Sequence, residues 1–192
     1  MFHYEEKLKD LKVHTRQSDG AYVIHHKQEE AIIEFNGDEP KRFTLRYNYD
    51  GFSGLTKNAH HIVVGEGNLK RDVYHFSTPD GPLPTLRCGY TVHNGENTWS
   101  STPHPFEMNP KSGFEEVFLY LLSSGTWEAG KAIQVGKGKW TDGDLVDSIW
   151  SVKDSDISAI PMGYHPVVGE PGVHVSYIWA YLAKHKEWEK LP

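Results

Sequence analysis

Three residues in the second half of the chain carry side chains that could act together as ligands of a metal ion: His104, Glu116 and His165. They lie on different predicted strands, and a β-barrel can aim side chains from several strands toward its interior. Two imidazoles and one carboxylate suit a divalent transition metal that keeps open positions for a substrate. The sequence lacks both a helical His-Glu-x-x-His motif and a Ser or Cys in a nucleophile-elbow pattern. It therefore predicts a three-ligand metal site and gives acyl transfer little support.

His165 lies in the segment 161–172, PMGYHPVVGEPG, between two apolar and β-branched runs. Glycine permits a positive φ or a close backbone approach and proline fixes φ, so such a segment can hold a side chain in one place. The pattern predicts a strand, a sharp turn and a second strand, with His165 at the exit of the turn. The alternative is a histidine that caps a tight turn by hydrogen bonding.

Glu116 lies in an apolar and aromatic run, 114–122, whose length and composition favour a strand. In a strand, Glu116, Phe118 and Tyr120 share one face and the aliphatic residues share the other. Because both faces are largely apolar, we expect the strand to be covered on both sides. A carboxylate buried there needs a cation or a hydrogen-bond donor as its partner.

The remaining segments alternate polar and apolar residues between turn signals, which predicts an all-β protein. Residues 1–60 form a short N-terminal β meander that is too small for a complete barrel, and residues 61–192 form the barrel and a tail. We expect a glycine-rich turn at 136–139 and a short C-terminal helix within 180–188. Aromatic residues make up 12% of the chain, which favours a pocket for a polar ligand.

Composition excludes several classes of protein. The formal charge is −6 and no long basic run is present, which argues against a nucleic-acid partner. The single cysteine, Cys88, permits no intramolecular disulfide and no cysteine metal cluster. No apolar run approaches the ~20 residues of a membrane span. The charged first residues lack a signal-peptide core, so we expect a cytoplasmic protein with no membrane partner.

Three stretches, in this order along the chain, resemble the 5-deoxy-glucuronate isomerases of inositol catabolism. These are cupins, related to the 5-keto-4-deoxyuronate isomerases. The stretches are GEGNLKRDV at 65–73, NTWSSTPH at 97–104 followed by Glu115 and Glu116, and GYHPV at 163–167 followed by Pro171, Gly172 and Tyr177. The resemblance implies a cupin-type double-stranded β-helix, which is a jelly-roll barrel.

The family holds its metal with a His-x-His pair, a glutamate and a third histidine. These positions fall on His104, Phe106, Glu116 and His165. Phe106 departs from the pattern because it cannot bind a metal. The resemblance therefore implies a three-ligand site for zinc, with manganese or iron as alternatives, or else a weak or lost site.

The resemblance also implies aldose–ketose isomerisation of a uronic-acid-like sugar such as 5-deoxy-glucuronate. The candidates for proton transfer are Tyr164, Tyr177 and Glu107, with core packing as the alternative for both tyrosines. Arg71 is matched to a family arginine that could pair with the sugar carboxylate, and its alternative is a surface charge. Tyr120 is a second candidate for binding the sugar acid.

Two other functions remain open on the sequence. Phe106 favours a cupin that binds a sugar acid without turnover, and a cupin lyase or epimerase on a related sugar is the third alternative. The isomerases resemble two-cupin chains, whereas only about 60 residues precede the matching region here. An incomplete first barrel should expose strand edges, which predicts a homodimer or a higher homo-oligomer.

Overall fold

The computed structural model describes residues 1–15, 20–37, 39–95, 97–100, 115–124 and 131–183. The regular secondary structure of the described residues is almost entirely strand, in agreement with the all-β expectation. Their α-helix, α1, spans Tyr4–Lys7. In the described part of the chain, no helix has the length and apolarity needed to cross a membrane.

The N-terminal sheet is an antiparallel meander in which each strand pairs with the next one along the chain. This confirms the predicted β meander. Its strands are β1 (Lys12–Thr15), β2 (Tyr22–His26), β3 (Glu29–Asn36), β4 (Glu39–Tyr47) and β5 (Asp50–Leu55).

A six-stranded sheet and a four-stranded sheet follow. The six-stranded sheet contains, in spatial order, β12 (Ile157–Ile160), β9 (Glu116–Ser124), β15 (Val173–Leu182), β8 (Leu86–His93), β7 (Arg71–His75) and β6 (His60–Val64). The four-stranded sheet contains β11 (Leu145–Lys153), β10 (Lys131–Lys139), β13 (Met162–Tyr164) and β14 (Val167–Gly169).

Two apolar clusters cover the two faces of the six-stranded sheet. The outer cluster joins one face, including Val117 and Leu119, to Phe43 and other side chains of the N-terminal sheet. The inner cluster joins the opposite face, including Phe118 and Tyr120, to the four-stranded sheet. The predicted division of β9 into two buried faces is therefore confirmed, and the inner cluster fills the space between the two sheets of the jelly roll.

The structure corrects the predicted turn around His165. Both β13 and β14 pair antiparallel with β10, so residues 162–169 run along one neighbouring strand without a reversal. The chain reverses at 170–172, where Val173 N–H donates to the carbonyl of Glu170. The proline and glycine pattern identified a segment with a special backbone but placed the turn several residues too early.

One other expectation was also wrong, because residues 136–139 are part of β10 and form no turn. Residues 180–182 are the last residues of β15, and residues 184–188 lie outside the described residues, so a short C-terminal helix there stays a prediction. The boundary between units at residue 60 stays a prediction, and the outer cluster contains side chains from both sides of it.

Candidate active site

Close backbone contact fixes the segment that carries His165. Gly138 of β10 lies opposite Gly163 of β13. A Cβ on Gly138 would lie 1.7 Å from the carbonyl oxygen of Met162, and Gly163 has a φ of 113°, which favours glycine. These two glycines let β13 approach β10 closely, and His165 follows two residues later.

His165 is buried, with 1% of its surface exposed, and the carbonyl oxygen of Pro161 holds its ring at Nδ1. Nδ1 lies 3.1 Å from the carbonyl oxygen of Pro161, so this nitrogen carries the proton and donates it. Nε2, on the other side of the ring, lies 3.2 Å from Oε2 of Glu116. Glu116 is also buried and begins β9, opposite Ile160 of β12. The ring and the carboxylate therefore meet where the chain crosses from β12 to β13.

A hydrogen-bonded pair behind His165 holds its backbone. The hydroxyl of Tyr120 donates to Oε1 of Gln134 over 2.8 Å, and both residues are fully buried. Nε2 of Gln134 lies 2.7 Å from the carbonyl oxygen of His165 and 3.1 Å from that of Pro166. The structure thus places Tyr120 beneath the histidine segment, with its hydroxyl engaged by the protein.

The pair of His165 and Glu116 fits two ligands of a divalent metal. Metal-binding histidines usually donate their second ring nitrogen to a carbonyl or a carboxylate, as His165 donates to Pro161. Imidazole nitrogen and carboxylate oxygen both suit zinc, manganese or iron. His104 lies outside the described residues, and within them no group of three potential ligands occurs. The three-ligand site stays a prediction, and two of its members lie side by side.

Tyr177 and Arg71 lie on neighbouring parts of the inner face. The ring of Tyr177 stacks on Phe118 with the centroids 4.4 Å apart, and Phe118 also contacts the ring of His165 edge-on. Burial raises the pKa of Tyr177, while the nearby Arg71 charge opposes this rise. Arg71 is buried and donates to the carbonyl of Leu69, so it is not a surface charge. Burial lowers the pKa of its guanidinium.

The other two candidates for proton transfer are placed differently. Tyr164 is half-buried on β13, and its hydroxyl accepts a hydrogen bond from the indole N–H of Trp99. Consecutive residues of an extended chain point to opposite sides, so Tyr164 should point away from His165. Glu107 and Phe106 lie outside the described residues.

Sequence reasoning missed two polar residues beside Tyr177. Ser100 is fully buried, and its Oγ lies 3.2 Å from the Tyr177 hydroxyl and also contacts Nε2 of His93. Burial, followed by the Arg71 charge, lowers the pKa of His93 to about 3. The only sequence signal for His93 was its place at the end of an alternating strand, and for Ser100 its place within the Trp-Ser-Ser stretch.

Two adjoining clefts lie beside the six-stranded sheet, and the smaller one is also lined by His93. Their volumes are about 540 and 470 Å³, and they share Asn36, Glu39, Tyr90 and Val92 in their walls. Neither cleft is lined by Glu116 or His165.

The two facing sheets, with a histidine and a glutamate directed into the space between them, define a cupin. Within that class, the chain belongs to the KduI/IolB family, whose sequence profile matches residues 47–191. The resemblance to the 5-deoxy-glucuronate isomerases is thereby confirmed.

Individual relatives also show the resemblance to 5-deoxy-glucuronate isomerases, at modest sequence identity. The chain is 28% identical over 131 residues to a 5-deoxy-glucuronate isomerase of Geobacillus kaustophilus, over 66% of this chain and 45% of that protein. It is 26% identical over 123 residues to the enzyme of the same name from Bacillus subtilis strain 168, over 62% of this chain and 43% of that protein. The chain thus matches less than half the length of these relatives.

One solved structure supports the fold. The crystal structure of an IolB-like protein from Salmonella typhimurium LT2 has a TM-score of 0.55 to this chain at 14% identity. The match covers 93% of this chain and 74% of that one. At this identity the likeness concerns the fold alone.

Proposed function

We propose that this protein is a metal-dependent isomerase that interconverts the aldose and ketose forms of a uronic-acid-like sugar such as 5-deoxy-glucuronate. The observation that carries the proposal is the buried pair of Glu116 and His165, which faces the inner cluster of a KduI/IolB family chain. A carboxylate and an imidazole are expensive to bury unless each has a partner. Their retention inside an apolar barrel is therefore more easily explained by a site than by packing.

Glu116 and His165 would hold the metal together with His104. A bound divalent ion supplies Lewis-acid polarisation of a carbonyl and stabilises negative charge on neighbouring oxygens. Zinc is our first choice, with manganese or iron as alternatives, because mixed nitrogen and oxygen ligands suit all three. Nδ1 of His165 stays on Pro161, so the ring presents Nε2 in a single orientation.

The chain's own residues account for binding and proton transfer. The reaction moves one proton between neighbouring carbons and one between their oxygens, so it needs no oxidant or reductant. The Arg71 guanidinium would pair with the sugar carboxylate through two parallel hydrogen bonds. Tyr177 would exchange a proton with the reacting atoms, because its hydroxyl is buried on the same face as Phe118 and Glu116. Tyr164 and Glu107 remain the other candidates for this role.

We further propose that the active form is a homodimer or a higher homo-oligomer. The outer face of the four-stranded sheet carries three exposed aliphatic side chains: Leu145, 85% exposed, Ile149, 71% exposed, and Ile133, 40% exposed. Leu145 and Ile149 lie at alternating positions of β11, and Ile149 pairs with Val135 of β10. A row of exposed aliphatic side chains on one sheet face is typical of a surface that another subunit covers.

Phe106 supports one alternative function, a cupin that binds a sugar acid without turning it over. Phe106 replaces a histidine of the family's ligand set, which leaves three candidate ligands in place of four. A three-ligand set is sufficient in many catalytic metal sites. The two functions therefore differ in metal content and in turnover.

The first test is the metal content of protein purified without added metal or chelator. We expect near-stoichiometric divalent metal in the wild type and its loss in His165→Ala and Glu116→Gln. His174→Ala is the matched control, because His174 is exposed on β15 and should keep the metal. Isomerisation of uronic acids and deoxy-ketoses is then assayed on the metal-loaded protein.

The outcomes separate the alternatives. Metal-dependent turnover of a uronate that is lost with the metal supports the isomerase. Absence of metal after soaking with zinc, manganese and iron, together with binding of a sugar acid, indicates the binding protein. Turnover of a related sugar but of no uronate indicates a lyase or an epimerase.

A further inference from the structure

We propose that His93 and Ser100 form a proton relay to the hydroxyl of Tyr177 and act as positioning residues for the isomerisation. This inference rests on the proposed function, because it assigns a proton path to one of its candidate catalytic groups. The relay has three members: the imidazole of His93, the hydroxyl of Ser100 and the phenol of Tyr177.

Strand register brings the two ends of the relay together. Tyr177 of β15 lies opposite Thr91 of β8, and His93 lies two residues further along β8, so it faces the same side of the sheet. The rings of His93 and Tyr177 lie edge-on with centroids 6.0 Å apart. A third group is therefore needed to connect them through hydrogen bonds.

Ser100 supplies that connection from the four-stranded sheet. Its backbone pairs with Val167 of β14 in an isolated bridge, which fixes the residue across the barrel interior. Its Oγ lies 2.5 Å from Nε2 of His93 and 3.2 Å from the hydroxyl of Tyr177. All three side chains are at least nine-tenths buried.

The hydrogen bonds of the relay can run in either direction. In one direction Tyr177 donates to Ser100, and Ser100 donates to Nε2 of a His93 tautomer protonated on Nδ1. In the other, His93 donates from Nε2 to Ser100, and Ser100 donates to the oxygen of Tyr177. In both directions the hydroxyl of Ser100 donates one hydrogen bond and accepts one. Passage from the first to the second moves the Tyr177 proton to Ser100 and the Ser100 proton to Nε2 of His93, while the Nδ1 proton leaves to the cleft that His93 lines. The Tyr177 oxygen then takes a proton from the substrate, and the reverse passage returns it.

The surroundings of His93 keep its imidazole neutral, as a relay requires. Burial, followed by the positive charge of Arg71, lowers its pKa to about 3. A neutral imidazole has one donor and one acceptor nitrogen, so it can take up a proton at Nε2 while it releases the one at Nδ1. At the other end, Tyr177 is close enough to Glu116 for that carboxylate to affect its pKa.

A merely structural role for His93 and Ser100 predicts something different. As buried polar groups that satisfy each other, they would contribute to stability, and their loss would change the melting temperature without a specific change in kcat. A relay predicts a lower kcat at an unchanged KM, because the substrate contacts remain.

The kinetic test uses Ser100→Ala, Ser100→Thr and His93→Gln, assayed with 5-deoxy-glucuronate and D-glucuronate. We expect Ser100→Ala to lower kcat by roughly 10- to 100-fold, a part of what a general acid–base group usually contributes. Ser100→Thr keeps the hydroxyl and should stay within a few-fold of the wild type. The double variant of Ser100→Ala and His93→Gln should be no slower than Ser100→Ala alone, because both break one path.

The second readout is nitrogen NMR of the His93 ring, which needs no turnover. The relay predicts that the wild-type ring exchanges between its two neutral tautomers and that Ser100→Ala or Tyr177→Phe shifts it to one of them. A single tautomer in the wild type, unchanged in both variants, overturns the relay. An unchanged kcat in Ser100→Ala also overturns it. A wild type that isomerises no uronate yet shows the tautomer exchange would refute the proposed function while leaving the proton path in place.

Discussion

The hydroxyl of Tyr120 offers a direct test of how the site is held, through the variant Tyr120→Phe. The structure gives Tyr120 a positioning role, because its hydroxyl donates to Gln134 over 2.8 Å and Gln134 in turn binds the carbonyl of His165. Removal of the hydroxyl leaves Oε1 of Gln134 buried without this donor. The sequence instead predicted that Tyr120 binds the substrate.

The expected loss of stability follows from the burial of Gln134. A buried polar atom that loses its partner costs about 1–3 kcal/mol. In a protein of this length, each kcal/mol lowers the melting temperature by about 2–4 °C, so Tyr120→Phe should lower it by about 2–12 °C. The matched control is Tyr49→Phe, which removes the same atom from a fully exposed ring and should leave the melting temperature unchanged.

The same substitution made in a Gln134→Leu protein makes the test of the positioning role sharper. In Gln134→Leu, the Tyr120 hydroxyl has already lost its acceptor, so adding Tyr120→Phe should cost little or should stabilise the protein. The assay is thermal unfolding of the four proteins that form this cycle, followed by circular dichroism. If Tyr120→Phe raises KM while the melting temperature stays within about 1 °C of the wild type, the positioning role is refuted.

Three further outcomes are expected. Because the pKa of His93 is near 3 when folded and near 6.5 when unfolded, the folded protein holds fewer protons between these values. Its free energy of unfolding should therefore fall as the pH drops from about 6.5 toward 3, by up to ~1.4 kcal/mol per pH unit, and urea titrations of His93→Gln should show a shallower fall. Gly138→Ala should cost about 3 kcal/mol or more, because its Cβ would lie 1.7 Å from the carbonyl oxygen of Met162. Gly37→Ala, at a positive φ with open space around it, should cost only about 1 kcal/mol of stability. Equal losses of stability for the two alanine variants in denaturant titrations would contradict this reasoning. Ile149→Lys should lower the molar mass measured by light scattering, and a monomeric wild type would remove the case for an oligomer built on this face.

Alternation was sufficient to predict the all-β class and most strands, whereas the jelly roll was implied by the resemblance. The run around β9 alternates between two apolar faces, and its even-numbered residues lie in the inner cluster as expected. A strand buried on both sides requires a layer on each side, so the pattern of β9 already indicated three layers. It could not indicate which sheet supplies each layer, because that depends on pairings between distant strands.

Glycine was the main source of error. Gly136 and Gly138 were interpreted as a turn, but they lie in the middle of β10. Gly138 is required because the carbonyl of Met162 occupies the space of a side chain, and Gly136 is required because Trp150 packs over it. A glycine needed for close approach and a glycine needed for a turn have the same appearance in a sequence, and only the neighbouring strand distinguishes them.

Some polar residues of the barrel interior could be predicted from the sequence and others could not, for a related reason. Glu116 and His165 stood out because a carboxylate among aromatic residues and a histidine among glycines and prolines are unusual locally. Gln134 and His93 sit at ordinary positions of alternating strands, where a polar residue normally faces solvent. Their burial is a consequence of the layers on both sides of their strands, which no local pattern reveals.

A single crossing of the chain positions both described candidate ligands. Ile160 pairs with Glu116 at the end of β12, and the next residue, Pro161, offers its carbonyl to Nδ1 of His165. The register of β12 on β9 therefore fixes the carboxylate, and the same crossing fixes the imidazole ring. Since a slip of one residue would turn Glu116 to the other face, the pairing of β12 with β9 controls the site. The geometry of the site is thus a property of this crossing, which explains why the glycines that let β13 approach β10 matter as much as the ligands themselves.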